Sequence, residues 1–121
     1  ALDDDAVRER LAARYAEVHV CRHLLNQMID GILRGEDVSG TSSIIKVFYT
    51  EVLHGLMQEM TALQGVAGQL DRPVLACSGW ETGFWMYDYL HAFGWLIGGG
   101  TNEIQRNVIG ERMLGLPREG R

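Results

Sequence analysis

The chain has few cysteines, little basic charge and no long apolar run, and each shortage excludes a class of protein. Its two cysteines, Cys21 and Cys77, form no CxxC pair, and two thiols in a helical chain are expected to be buried and reduced. No segment approaches the roughly 18 consecutive apolar residues that a membrane span needs. The acidic start at Asp3, Asp4 and Asp5 is the reverse of a signal peptide. We therefore expect a cytoplasmic protein without a membrane partner.

The charge balance argues against a nucleic-acid partner. Eleven lysines and arginines face 16 aspartates and glutamates, a net charge of −5, and Lys46 is the single lysine. Such a chain has no basic stripe to neutralise a phosphate backbone. Its 121 residues, 46% of them hydrophobic and 22% charged, predict one globular domain rather than a disordered segment.

Apolar periodicity predicts one long helix in the first third of the chain. The aspartates at its start can cap it, and Gly35 with the polar run to Gly40 ends it. Two apolar stripes predict a helix that is packed on both sides by others. The first stripe and its neighbours are Leu11, Val18, Leu25 and Ile32, with Val7, Cys21 and Met28.

A second helix is predicted after Thr41, Ser42 and Ser43, whose hydroxyls can cap it. It should break at Gly65 and Gly68. Its apolar positions wrap well past one face, so we expect it at the centre of the fold. These positions are Ile45, Phe48, Val52, Leu53, Leu56, Met57, Met60 and Leu63.

Two further helices complete the prediction of an all-α, antiparallel up-down bundle. A loop at residues 71–73 precedes an aromatic-rich stretch over residues 80–97. Aromatics favour strands, but no period-two alternation persists, so we favour a helix. Its one-face residues are Phe84, Tyr87, His91 and Trp95.

The fourth helix is predicted from Thr101 or Asn102, with Asn102 and Gln105 at the spacing of a capping box. It should stop at Gly115 and Pro117. The residues expected to point inward are Ile104, Val108, Ile109 and Met113.

The run Gly98, Gly99, Gly100, Thr101 is the most informative local motif. A glycine turn that enters a capped helix gathers free backbone N–H groups at one point, where an anionic ligand can rest. An ordinary loop with an N-cap is the alternative interpretation.

The remaining chemistry-bearing residues fit structural roles better than catalytic ones. His19 and His23 are four apart, as metal ligands on a helix are, but no third ligand has a suitable spacing, so we predict no metal site. His54 and His91 are expected to pack among apolar neighbours. No histidine motif accompanies Ser42 and Ser43, so nucleophilic catalysis has no support. The aromatic stretch suits the bundle core and a subunit interface better than an acyl tunnel.

The string GGTNEIQRN at residues 99–107, followed by ERMLGLPR at residues 111–118, resembles the C-terminal signature of the acyl-CoA dehydrogenases. These flavoenzymes place a double bond between the α and β carbons of an acyl-CoA thioester. The resemblance covers most of the chain and implies the C-terminal helical domain of that family, without the opening helix of the domain. Residues 1–121 are therefore expected to be one partial domain, either a fragment or a split subunit.

The resemblance implies FAD as cofactor and carries over five contact positions. Gln64 and Gly68 match a Gln-x-x-Gly-Gly turn that reaches the FAD of a neighbouring subunit, with Ala67 in place of one glycine. Gly100, Thr101 and Glu103 match positions beside the nucleotide part of FAD. A purely structural role is the alternative for two of them: Glu103 can simply stabilise the first helical turn, and Gln64 can be a plain polar residue at a helix end.

No catalytic residue is assigned, because Gly99 occupies the position of the glutamate base of many family members. Other members carry their glutamate on the missing opening helix. The isolated chain is thus expected to be inactive as an oxidoreductase and to associate with itself or with another acyl-CoA dehydrogenase subunit. The alternative is a non-catalytic scaffold subunit or interaction module of a heteromeric enzyme.

Overall fold

The computed structural model describes residues 3–70 and 85–118, and these form four α-helices and one 3-10 turn without a strand. The all-helical prediction is confirmed. The predicted loop at residues 71–73, Cys77, and the predicted helical residues 80–84 lie outside the described residues. The helices are α1 (Asp5–Leu33), α2 (Ser39–Leu63), α3 (Trp85–Ile97) and α4 (Asn102–Arg112), with the 3-10 turn at Gly65–Gln69.

Helix α1 starts as its aspartates predict. The Asp4 carboxylate accepts hydrogen bonds from the backbone N–H groups of Ala6 and Val7, at 2.9 and 3.4 Å, and so satisfies two donors that have no partner within the helix. After Leu33 the chain turns at Gly35, which has a φ of 73°. The prediction for both ends is confirmed.

Only one side of α1 is covered by the described chain. Helix α2 runs antiparallel to it, since Arg10 pairs with Glu59 near one end and Gly31 contacts Val38 near the other. The stripe that contains Val18, Leu25 and Ile32 is exposed, whereas its neighbours Val7 and Cys21 are buried, so the described residues cover only one of the two sides that were expected to be packed. The outer face of α1 consists of Tyr15, Val18, Leu25, Ile29 and Ile32.

Helix α2 begins at Ser39, two residues before Thr41, the first residue of the hydroxyl run that was predicted to cap it. The Asp37 carboxylate accepts from the Ser39 N–H at 2.9 Å, while the Ser42 and Ser43 hydroxyls donate back to the Ser39 carbonyl. Those serines therefore lie inside the helix, where a hydroxyl reaches the carbonyl of the preceding turn. Gly40 also belongs to the helix rather than to the loop.

As predicted, α2 lies at the centre and contacts α1, α3, α4 and the 3-10 turn. The core forms where α3 crosses its second half. Met57, Trp85 and Ala92 are buried there, and Met60 packs against them, which confirms the two methionines as core residues. The other partly buried neighbours are Leu53, Leu56 and Tyr89.

Tyr87, His91 and Trp95 share one face of α3, as predicted, and this face is exposed. Tyr87 stacks on His91 with ring centroids 5.7 Å apart, and His91 meets Trp95 edge-on at 6.3 Å. Tyr87 and Trp95 are exposed because the opposite face of α3, carrying Trp85 and Ala92, packs on α2. His91 thus lies among aromatic rings at the surface and not among core residues.

Helix α4 corrects the capping-box prediction. Thr101 is the N-cap, and its hydroxyl oxygen accepts from the Ile104 N–H at 3.3 Å. Asn102 is instead the first helical residue and is buried. Ile104 is exposed rather than inward, because it lies on the side of α4 opposite Asn102, which faces α2. Met113 is 46% exposed, although its side chain packs against Gly40 of α2. No described helix is both long and apolar enough to cross a membrane.

Candidate functional site

The glycine turn before α4 has a defined shape that its sequence requires. Gly99 and Gly100 have φ angles of 68° and 93°, a left-handed region that glycine enters without steric cost. A Cβ at Gly100 would also lie 2.9 Å from Nε2 of Gln105. That amide donates to the Gly99 carbonyl at 2.8 Å, so Gln105 braces the turn rather than capping the helix.

The first turn of α4 is partly capped by its own side chains. The Glu103 carboxylate accepts hydrogen bonds from the backbone N–H of Glu103 and from the Thr101 hydroxyl. These bonds, the backbone one first, lower the pKa of Glu103 from its usual value. The hydroxyl of Thr101 at the same time accepts from Ile104. Because the side chain of Glu103 is 80% exposed, it is free to exchange these bonds for a ligand. The expected row of open N–H groups is therefore replaced by an exposed carboxylate acceptor.

A groove of about 450 Å³ runs beside this helix start, between α2, the end of α3 and α4. Charges of both signs lie next to each other in it, because Arg106 of α4 pairs with Glu51 of α2 and lies 3.8 Å from a Glu103 oxygen. The residues that line it are Glu51, His54, Gly55, Leu96, Ile97, Thr101, Asn102, Glu103 and Arg106. Thr101 and Glu103, both predicted site residues, thus share one groove.

His54 packs as predicted but is not fully satisfied. Its ring stacks on Tyr89, with centroids 5.9 Å apart, and meets Phe93 edge-on at 4.4 Å. Its buried Nε2 has no hydrogen-bond partner among the described residues. His54 therefore supplies a polar atom at the wall of the groove.

A polar contact inside the bundle fixes the start of α4 against α2. The Lys46 ammonium donates to Oδ1 of Asn102 at 2.7 Å and to the carbonyl of Leu96 at 3.1 Å. The hydroxyl of Thr50, which is 1% exposed, lies 3.1 Å from the same Asn102 oxygen. One acceptor therefore joins two side chains of α2 to the first residue of α4.

Gln64 and Gly68 lie elsewhere, at the end of α2 and in the 3-10 turn, and neither lines the groove. Gln64 donates through Nε2 to the Met60 carbonyl at 3.3 Å, while its buried Oε1 has no partner among the described residues. Gly68 is explained by packing alone, since a Cβ there would lie 2.5 Å from the Thr61 carbonyl oxygen. The structure thus separates the predicted site residues into two groups.

His19 and His23 do not form a metal centre in the described part of the chain. Both are exposed, and His19 contacts the Tyr15 ring at 4.3 Å between centroids. The described residues contain no group of three or more side chains that could hold a metal ion.

The family follows from a comparison with known proteins. A family model of the acyl-CoA dehydrogenase C-terminal domain matches residues 1–114. The chain belongs to the acyl-CoA dehydrogenase family. The resemblance that the terminal signature suggested is therefore confirmed over most of the chain.

Curated relatives agree with this assignment. Two proteins named acyl-CoA dehydrogenase IpdE1, from Mycolicibacterium smegmatis and Mycobacterium tuberculosis, are 34% and 31% identical over 98% and 100% of this chain. The chain spans only 28% and 29% of their lengths.

Solved structures share the fold. The Tcur3481-Tcur3483 steroid ACAD superposes with a TM-score of 0.83 and 26% identity. The ChsE4-ChsE5 complex from Mycobacterium tuberculosis superposes with a TM-score of 0.81 and 27% identity. Each match covers 98% of this chain and 30% of the chain in the solved structure.

The groove carries hydrogen-bond donors and acceptors of the kinds that a nucleotide can bind. The Glu103 carboxylate can accept from ribose hydroxyls or the adenine amine, and the Thr101 hydroxyl and Arg106 guanidinium can donate to phosphate oxygens. At the other end of α2, the buried Oε1 of Gln64 is an acceptor that still needs a donor.

Sequence reasoning missed the residues that hold the groove together. In the sequence Lys46 stands out only as the single lysine, and Asn102 has the pattern of a cap. A lone lysine among the apolar residues of a central helix is the available signal, because such a charge must find partners inside the fold. The pairing of Glu51 with Arg106 crosses two helices and leaves no local pattern.

Proposed function

We propose that this chain is the C-terminal helical part of a subunit of an FAD-dependent acyl-CoA dehydrogenase, and that it supplies contacts to the nucleotide side of FAD. The observation that carries the proposal is the groove at the start of α4, where Thr101 and Glu103 stand side by side within the family match. Thr101 and Glu103 would hold the nucleotide side of the cofactor, and the chemistry that a bound flavin would supply is acceptance of a hydride from the β carbon of the thioester. The chain's own task is to bind and orient the cofactor.

Proton removal from the α carbon requires a carboxylate in a dry pocket, and we propose that this group comes from outside the described residues. Gly99 stands where many family members have a glutamate, and it has no acidic side chain. The αL conformation at Gly99, with a φ of 68°, disfavours any residue with a side chain there. The isolated chain is therefore proposed to be inactive.

We infer that the acyl substrate is derived from a steroid. Support comes from the Tcur3481-Tcur3483 protein, which is named a steroid ACAD and shares the fold over 98% of this chain. The support for this inference is similarity to that protein, and it does not come from a contact within the groove.

We also propose that the subunit works in an oligomer with other acyl-CoA dehydrogenase subunits, in the cytoplasm. The outer face of α1 is an apolar stripe on the surface, and exposed stripes of this kind mark interaction sites. Two different chains are named in the ChsE4-ChsE5 complex, which supports a heteromeric assembly here.

Flavin binding by the complete subunit with its partner tests the proposal. We expect a yellow complex whose FAD affinity falls about tenfold or more in Glu103→Gln, because a charge-assisted hydrogen bond is lost. Glu9→Gln, a matched change at an exposed position of α1, should leave the affinity unchanged. A complex that never retains flavin, or an E103Q variant as tight as the parent, would contradict the proposal.

A non-catalytic scaffold subunit is the second candidate, and Gly99 favours it. In that case the subunit keeps the nucleotide contacts while its partner supplies the base. The complete subunit would then bind flavin only after its partner is added, and substitution of glutamates in the partner alone would abolish dehydrogenation.

A further inference from the structure

Lys46 makes the most specific contact between α2 and the site, although it lies outside the groove. It is the single lysine of the chain and is half-buried in the middle of α2. Its ammonium has three N–H donors, of which one reaches the Leu96 carbonyl at the end of α3 and one reaches Asn102 at the start of α4. A single side chain thus connects the two helices that flank the glycine turn.

Asn102 receives this contact through its side-chain oxygen Oδ1, to which the Lys46 ammonium donates at 2.7 Å. The Thr50 hydroxyl lies 3.1 Å from the same oxygen, but its single proton also has the backbone carbonyls of Lys46 and Val47 as acceptors, at 2.9 and 3.1 Å. The Asn102 side chain is therefore held against α2 chiefly by Lys46, and the residue as a whole is only 5% exposed. Its chain neighbours Thr101 and Glu103 have their orientation fixed with it.

The outer contact between the same helices is weaker by comparison. Arg106 and Glu51 pair at the surface, where both side chains are about half exposed (53% and 50%). Exposed pairs of this kind contribute little, whereas a partly buried, charge-assisted hydrogen bond is among the stronger contacts in a protein. The position of the α4 start therefore depends chiefly on Lys46.

We propose that Lys46 is a positioning residue for the flavin nucleotide, acting through Asn102 to hold Thr101 and Glu103 at the wall of the groove. This inference rests on the proposed function. Lys46 does not line the groove itself, so its role is to place other residues and not to contact the cofactor.

The test uses the complete subunit assembled with its partner, stripped of flavin and titrated with FAD while flavin fluorescence is followed. Lys46→Met keeps the length and the apolar stem but removes the donors, and we expect the FAD dissociation constant to rise about tenfold. Arg10→Met is the matched control, because Arg10 is also a long basic side chain that bonds across two helices, to Glu59 at 3.1 Å, away from the groove. Its dissociation constant should stay within about twofold of the parent.

A double-mutant cycle separates positioning from general loosening of the fold. If Lys46 acts through Asn102, then Asn102→Ala should weaken FAD binding as much as Lys46→Met, and the double variant should be no weaker than either single variant. Additive losses would overturn the inference, because they would mean that the two residues act independently.

A gentler variant keeps the inference testable if Lys46→Met does not assemble. Asn102→Asp retains two acceptor lone pairs for Lys46 and Thr50 and is expected to bind FAD within about threefold of the parent. A tenfold loss of FAD affinity in Asn102→Asp, or a Lys46→Met assembly with parental affinity, overturns the positioning role of Lys46 but leaves the proposed function in place. A parent assembly that takes up no FAD contradicts the proposed function itself.

Discussion

Gln105 donates a hydrogen bond from Nε2 to the carbonyl oxygen of Gly99, 2.8 Å away, across the turn that leads into α4. The bond joins the helix to a glycine run that has no side chains of its own. We expect Gln105→Ala to reduce the free energy of unfolding by about 0.5–1.5 kcal/mol and to weaken FAD binding several-fold, because the turn loses its brace. Gln58→Ala, at an exposed position of α2, serves as the control in urea unfolding and in FAD titration. Equal effects of the two variants on FAD binding would refute the bracing role.

Two glycines with nearly the same φ angle allow the effect of the turn on FAD binding to be separated from its effect on stability. Gly99 and Gly35 have φ angles of 68° and 73°, and a Cβ would meet nothing within 4 Å at either. Alanine at each should therefore cost a similar amount, about 1 kcal/mol, from left-handed strain alone. Only Gly99→Ala should also weaken FAD binding, since Gly35 lies in the α1–α2 loop. Thermal unfolding and flavin titration of both variants check this, and a loss of FAD affinity in Gly35→Ala would point to a general effect.

Much of the fold could be predicted because its signals are local or periodic. Asp4 caps α1 as an aspartate before an apolar-periodic run should, and the apolar circumference of α2 correctly placed that helix at the centre. The terminal signature around Thr101 and Glu103 identified the family. Each of these features is contained in one short stretch of sequence.

The errors have a common physical cause, which is competition between side chains, near or distant in the sequence, for the same hydrogen-bonding groups. Asn102 has the residue type and spacing of a cap, but Lys46 and Thr50 of α2 bind its side chain, so Thr101 caps the helix instead. Ser42 and Ser43 could cap α2, but the Asp37 carboxylate reaches the backbone earlier. A single sequence does not show which of two suitable side chains is nearer to a given N–H group.

The low pKa of Glu103 gives stability a defined pH dependence. The carboxylate binds its own backbone N–H and the Thr101 hydroxyl, so its pKa is lower in the folded than in the unfolded state. Its contribution is therefore present above the usual glutamate pKa of about 4.3, and it is lost as the pH falls through the lowered value. Without FAD, Glu103→Gln should unfold at a lower temperature than the parent at pH 7, and the difference should shrink as the pH falls below the usual glutamate pKa.

The exposed Glu9 on α1 offers a control for that pH dependence. Glu9→Gln should have the same melting temperature as the parent at both pH values. A difference between the parent and Glu103→Gln that grows as the solution becomes more acidic would have the wrong sign for a carboxylate with a lowered pKa.

The outer face of α1 is expected to be buried in the assembly. Ile29 belongs to the stripe in the last third of α1 and is 50% exposed, and Ile32 one turn later is 54% exposed. A glutamate at position 29 would place an unpaired charge in an apolar contact, which is costly. We expect Ile29→Glu to weaken self-association or association with a partner subunit at least tenfold, as measured by size-exclusion chromatography with light scattering at micromolar concentration.

The neighbouring Gln27 supplies the matched control for this interface, because it is exposed and points away from the stripe, two residues from Ile29 on a helix with 3.6 residues per turn. Gln27→Glu adds the same charge to the same helix, so it reproduces any general electrostatic effect on a chain whose net charge is already −5. It should leave the mass of the assembly unchanged. A parent protein that stays monomeric with its partner present, or an Ile29→Glu variant with the parental mass, would mean that this stripe remains in contact with solvent and that the oligomer forms through another surface.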